Sequence, residues 1–166
     1  DKWAPAVGDE LRVDYGTIST GTMFLVSATP RNGAYDLAVK YAKEKLHRGS
    51  PISKFPSMQD KAARVAANTL SSRLMLYKAA EDADTITNDI RRVQASAALV
   101  KGYIADLAVE TCTMALNMHA SYGVTAEYQV ERFLRDAVIA PNIEGSADIQ
   151  RLIAGSYILK SAEHFL

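Results

Sequence analysis

The stretch Ile143-Glu144-Gly145-Ser146-Ala147-Asp148-Ile149-Gln150-Arg151 places one glutamate in an irregular segment directly before a C-terminal amphipathic helix. A carboxylate there is a candidate general base. It must come within hydrogen-bond reach of the proton it removes, and burial beside an apolar group raises its pKa toward the working range. The same placement has a simpler reading, since the dipole of a helix favours an acid at its N-terminus. Ser146 fits an N-cap, its hydroxyl accepting from a free amide of the first turn.

Other chemistries find little support. His47, His119 and His164 are too scattered for a helical H-E-x-x-H site and no cysteine pair joins them, so no metal is expected. No Gly-rich loop follows a strand, which leaves the chain without a dinucleotide fold of its own. Cys112 is the single cysteine, sits in an apolar helical stretch and reads as an inert core residue. Lys101, Arg132 and Arg135 read as charges on solvated or interface faces. Lysine plus arginine number 19, as do aspartate plus glutamate, so no charge excess draws the chain to nucleic acid or an anionic membrane. Without a run of about eighteen apolar residues or a basic-then-apolar start, the chain reads as soluble and cytoplasmic, or of the mitochondrial matrix in a eukaryote.

A chain of 166 residues fits one domain with a core of its own. Residues 1–16 lack a period and read as a linker or the remnant of something longer, and residues 17–166 as the domain. From about Thr17 to Lys45 the pattern is helical, with Ala34, Leu37, Ala38 and Tyr41 on one face and Pro30 predicting a kink. His47 to Pro56 carries loop chemistry. Ser57 followed by Asp60 predicts the next helix start, with Met58, Ala62, Val65, Ala66, Leu70, Leu74 and Tyr77 on its apolar arc. A polar turn from Asp82 to Asn88 leads to the most regular segment, where Ile90, Val93, Ala97, Val100, Ile104, Leu107, Thr111, Met114 and Met118 step by threes and fours. A short helix near Ala126 to Val138 follows. The last helix, about Ala147 to Phe165, has Ile149, Leu152, Ile153 and Tyr157 on its apolar face. Almost no sheet is expected, and the economical fold is an all-α, antiparallel up-down four-helix bundle.

Two stretches carry a family resemblance. Tyr122-Gly123-Val124-Thr125-Ala126-Glu127-Tyr128-Gln129-Val130-Glu131-Arg132-Phe133-Leu134-Arg135-Asp136-Ala137 and the segment around Glu144 together resemble the end of an acyl-CoA dehydrogenase, with its GGYG-x-x-x-EYPVER-x-x-RDA and YEGTSxIQR signatures. The likeness covers about residues 17 to 166 and only the family's C-terminal helical domain.

The resemblance implies that Glu144 takes the α-proton of an acyl-CoA thioester while a hydride leaves the β-carbon for FAD. Cofactor-binding roles fall on Lys45, Arg48, Asn117, Gly123, Ser146 and Asp148. Glu44-Lys45-Leu46-His47-Arg48-Gly49-Ser50-Pro51 stands where the family has ER-x-x-FGKP, facing the FAD of a neighbouring subunit. Lys45 keeps a charge for phosphate without the arginine fork, and Arg48 can stack on adenine in place of the aromatic; the loop reads equally as a solvated basic turn at a helix end. Asn117-Met118-His119-Ala120-Ser121-Tyr122-Gly123 replaces Gln-x-x-Gly-Gly-x-Gly and keeps only the last glycine. Ile143 replaces the tyrosine before the base, and Thr20 an arginine of the first helix.

The expected protein is therefore the C-terminal domain or a subunit of a flavin-dependent acyl-CoA dehydrogenase, inactive alone and holding FAD only with the missing domains or a partner subunit. Its partners would be acyl-CoA, an electron acceptor, and further subunits in a homo- or hetero-oligomer, a dimer or tetramer. Two alternatives stay open: a divergent, non-catalytic bundle for assembly or binding, and a related flavin oxidase or monooxygenase.

Overall fold

The computed structural model describes residues 33–161 and 165. The expected linker, the Thr17 start, Thr20, Pro30 and His164 lie outside them. Helix α1 is described over residues 33–44, and its Ala34, Ala38 and Ala42 recur every fourth position and are buried. After it come two short antiparallel strands, β1 (Leu46–His47) and β2 (Ser50–Pro51), inside the expected loop. Arg48 and Gly49, at φ 50° and 79°, make the two-residue turn between them, whose left-handed pair suits glycine in the second place.

Helix α2 (Pro56–Thr85) starts one residue before the expected cap. Phe55 is the N-cap and makes no side-chain cap bond, while Pro56 takes the first turn, where its missing N–H costs nothing. The helix also runs through most of the expected polar turn. Its buried positions are Val65, Thr69, Ser72, Leu76 and Ala79, whereas Leu70, Leu74 and Tyr77 of the expected core arc are exposed. That arc correctly contained Val65 but was centred too far round the helix.

Helix α3 (Ile90–Met118) is the axis of the bundle and packs against α2, α4 (Val130–Ile139) and α5 (Ala147–Lys160). Asp89 caps it by accepting from the Arg92 amide. Val100, Ile104, Leu107, Thr111 and Met118 of the expected seam are buried, but Ile90 is exposed. A second face of Ala95, Ala98, Lys101, Gly102, Ala105, Ala108, Cys112 and Ala115 is buried as well. Small residues let neighbouring backbones approach on several sides, which a single seam does not reveal.

Two clusters fill the core. At one end Ala34, Ala38 and Ala42 pack with Ala108, Cys112, Ala115, Met118, Val130 and Ala137; at the other, Leu76 and Ala79 meet Val100 and Ile104. The Asn68–Thr111 and Ser96–Asp82 hydrogen bonds fix α2 antiparallel to α3. Bonds from Arg151 to Gly102 and from Tyr157 to Asp89 do the same for α5. The fold is all-α, as expected.

Helix α5 departs from expectation. It ends at Lys160, and its buried residues are Ala147 and Ala154, while Ile149, Leu152 and Ile153 are exposed. The apolar face is real, but no helix among the described residues covers it. The expected helix near 126–138 is divided: a 3-10 turn (Ala126–Tyr128) is followed by Gln129 at φ 58°, and α4 begins only at Val130. No helix among the described residues is long and apolar enough to cross a membrane.

Candidate active site

Glu144 lies in the loop between α4 and α5, exposed, with a left-handed backbone at φ 54°. Such a conformation costs a non-glycine residue about 1–2 kcal/mol and persists only where its surroundings enforce it. Gly145 follows at φ 88°, and a Cβ there would meet the Gln150 amide. The Gln150 Nε2 donates to the Glu144 carbonyl at 3.4 Å. Lys101 of α3 donates through Nζ to the Gly145 carbonyl at 2.5 Å. The Ala147 amide closes the loop on the Pro141 carbonyl at 2.7 Å. The consecutive carbonyls of Glu144 and Gly145 are thus both held by side chains.

Lys101 is only 3% exposed, which corrects its placing on a solvated or interface face. Burial holds its ammonium below the usual lysine range, with Asp106 opposing and Arg151 adding to the shift. The sequence carried a signal for this: Ala97, Ala98, Ile104 and Ala105, three and four residues to either side, are all apolar. Gly102 beside it lets α5 approach closely, since a Cβ would stand 3.2 Å from the Ala147 carbonyl and 3.3 Å from Arg151 Cγ. Arg151 then ties α5 to α3 through Asp106 at 2.5 Å and to Asp148 at 2.6 Å. Ser146 caps α5 by accepting from the Ile149 amide at 3.4 Å. Gln150 and Arg151 were not singled out from sequence because their partners are fixed by tertiary packing.

The other candidate residues gather at the far end of α3. From Lys101 to Asn117 the helix rises about 24 Å at about 1.5 Å per residue, so this end is separate from the Glu144 loop. There Lys45 Nζ sits 4.4 Å from the centre of the Tyr122 ring. Tyr41 stacks on His119 at 4.3 Å, and Tyr128 meets Tyr41 edge-on. His119 is buried, and burial pushes its pKa below the usual histidine value although its Nδ1 lies 2.8 Å from the Ala115 carbonyl. Arg48 is exposed at the hairpin tip, and Asn117 is exposed on the last turn of α3. Gly123 is buried where a Cβ would collide with the Leu116 carbonyl. Packing is therefore a sufficient reason for that glycine. Ala120 holds φ 51°, the left-handed backbone natural to the glycine it replaces.

A family model described as acyl-CoA dehydrogenase, C-terminal domain, matches residues 18–159. The chain belongs to that family. The probable acyl-CoA dehydrogenase YngJ of Bacillus subtilis is 34% identical over 148 residues, covering 89% of this chain and 37% of YngJ. The caffeyl-CoA reductase-Etf complex subunit CarC of Acetobacterium woodii is 32% identical over 128 residues, 77% of this chain and 33% of CarC. Butyryl-CoA dehydrogenase from Megasphaera elsdenii superposes with a TM-score of 0.77 at 28% identity, covering 86% of this chain and 37% of that one. The chain spans about a third of the length of these relatives.

Acyl-CoA dehydrogenases depend on FAD. Lys45 over the exposed Tyr122 ring and Arg48 exposed at the hairpin tip are residue types whose chemistry fits an anionic, ring-bearing group. Cation–π stacking and phosphate pairing are both open to them. Ala120 and Ser121 are exposed on the same loop and put side chains where the family pattern has bare backbone. Among the described residues no three His, Cys, Asp or Glu side chains are grouped to hold a metal ion.

Proposed function

We propose that this domain supplies the base of an acyl-CoA dehydrogenase, Glu144 removing the α-proton of an acyl-CoA thioester. FAD, bound with the rest of the enzyme, would accept the hydride from the β-carbon. The observation that carries this reading is the Glu144 loop itself. A glutamate at the family's base position is held in an unfavourable left-handed conformation, and no hydrogen bond or ion pair among the described residues engages its carboxylate. It is exposed in this chain. An acyl chain and further domains closing over it would strip away water and raise its basicity.

The separation of the two groups along α3 favours a division of labour. Ser146 and Asp148 would serve the site of their own protomer, while Lys45, Arg48, Asn117 and Gly123 would face the flavin of a second subunit. Exposed Leu70, Leu74 and Tyr77 on α2, and Ile149, Leu152 and Ile153 on α5, suit burial in a dimer or tetramer. A second reading, a bundle that assembles without catalysing, is favoured by the side chains at Ala120 and Ser121.

The test is Glu144→Gln in the flavoenzyme that carries this domain. Loss of acyl-CoA-dependent reduction of an artificial acceptor, with flavin retained, is expected. An active variant would remove the base from Glu144, and a colourless wild-type complex would favour the second reading. The 166-residue chain by itself is expected to show neither flavin absorbance nor turnover.

A further inference from the structure

The geometry points to Lys101 and Gln150 as positioning residues that clamp the two carbonyls around the base and so aim Glu144 at the α-carbon. This assignment rests on reading Glu144 as the base. Glu144 and Gly145 are consecutive left-handed residues inside the loop that the Ala147–Pro141 backbone bond closes, and among the described residues no backbone amide bonds the carbonyl of either. Two side chains from different elements do so instead. Gln150, on the first turns of α5, bonds the Glu144 carbonyl, and Lys101, in the middle of α3, bonds the Gly145 carbonyl.

Lys101 is an unusual choice for a packing position. A buried ammonium is costly unless its hydrogen bonds are made, and an apolar side chain would fill the same space among Ala97, Ala98 and Ala105 without that cost. Its value lies in where it reaches. The bond to Gly145 spans 44 residues of chain and joins the axis of the bundle to the residue after the base. A change in φ at Glu144 would turn its side chain and the two following carbonyls together, and so break both bonds. Because proton transfer depends steeply on donor–acceptor geometry, a base displaced by about 1 Å loses rate with little effect on substrate affinity.

The experiment compares Lys101→Met and Gln150→Leu with wild type and Glu144→Gln in the FAD-loaded enzyme, with α-deuterated and unlabelled acyl-CoA. Expected are flavin absorbance and KM within twofold of wild type, kcat lowered at least tenfold, and a larger α-deuterium isotope effect as proton removal becomes rate-limiting. A purely structural role would lower flavin content or folded yield and leave the isotope effect unchanged, which would overturn the assignment. A kcat within twofold for both variants, with Glu144→Gln inactive, would overturn the clamp and leave the base standing. An active Glu144→Gln would overturn both. If Lys101→Met fails to fold, Gln150→Leu, a partly exposed position, gives the decision alone.

Discussion

The phenol of Tyr157 donates to Asp89 Oδ2 at 2.6 Å, while Asp89 Oδ1 accepts from the Arg92 amide at 3.0 Å, so one carboxylate caps α3 and anchors α5. The phenol is the leading cause of a pKa for Asp89 below the usual carboxylate range, with the backbone amides adding to it. A depressed folded-state value stabilises the protein fully above the unfolded aspartate value of about 3.9 and loses that contribution as pH falls below it toward the folded value. Thermal melts between pH 6 and about 3 should therefore show a steeper loss of Tm for wild type than for Asp89→Asn. Tyr157→Phe, which leaves the cap intact, should lower Tm at pH 7 less than Asp89→Ala does.

His119 gives a second pH dependence in a different window. Burial lowers its pKa, so the folded state resists protonation that the unfolded chain accepts near 6.5. Stability is complete above that value and declines as pH falls through it toward the depressed one. The Ala115 carbonyl beside Nδ1 opposes the shift without cancelling it. His119→Phe should keep the stack on Tyr41 and flatten the fall in Tm between pH 7 and 5.5. An equal slope in the variant would place that dependence elsewhere.

Sequence periodicity reached as far as spacing alone can. The α3 seam through Val100, Ile104 and Thr111 was readable because a 3.6-residue repeat survives any tertiary context. The α5 face of Ile149, Leu152 and Ile153 was readable as apolar but not as uncovered, since amphipathicity does not say which neighbour is present. The position of Glu144 came from its motif. What holds it did not, because the Lys101 bond depends on how α5 lies against α3, and the sign of φ at Glu144 or Ala120 is set by the same packing. Ser57 failed as a cap because Pro56 at the first helical position allows the helix to begin earlier.

Two substitutions in one loop should move stability in opposite directions. Ala120 is held left-handed, so Ala120→Gly removes a conformational cost of about 1–2 kcal/mol against a smaller loss from the greater freedom of unfolded glycine, a net gain of about 0.5–1 kcal/mol. Gly123→Ala instead drives a Cβ into the Leu116 carbonyl and should cost about 1–3 kcal/mol. Urea unfolding of the two variants checks both signs, and a destabilised Ala120→Gly would mean that the methyl group makes a compensating contact.

Helix α5 offers a test that separates folding from assembly. Leu152 is 67% exposed and Leu159 88% exposed, so neither supports the core of the chain. Leu152→Glu and Leu159→Glu should each change its unfolding free energy by less than about 0.5 kcal/mol, as exposed substitutions do. If this face is covered in the assembled flavoenzyme, the same changes bury a charge against apolar surface, and dissociation should rise by a factor of ten or more for each 1.4 kcal/mol of unpaired-charge cost. Sedimentation velocity of the FAD-loaded enzyme reads the assembly, and urea melts of the chain read the fold. A fall in chain stability without dissociation would show that α5 needs this face internally.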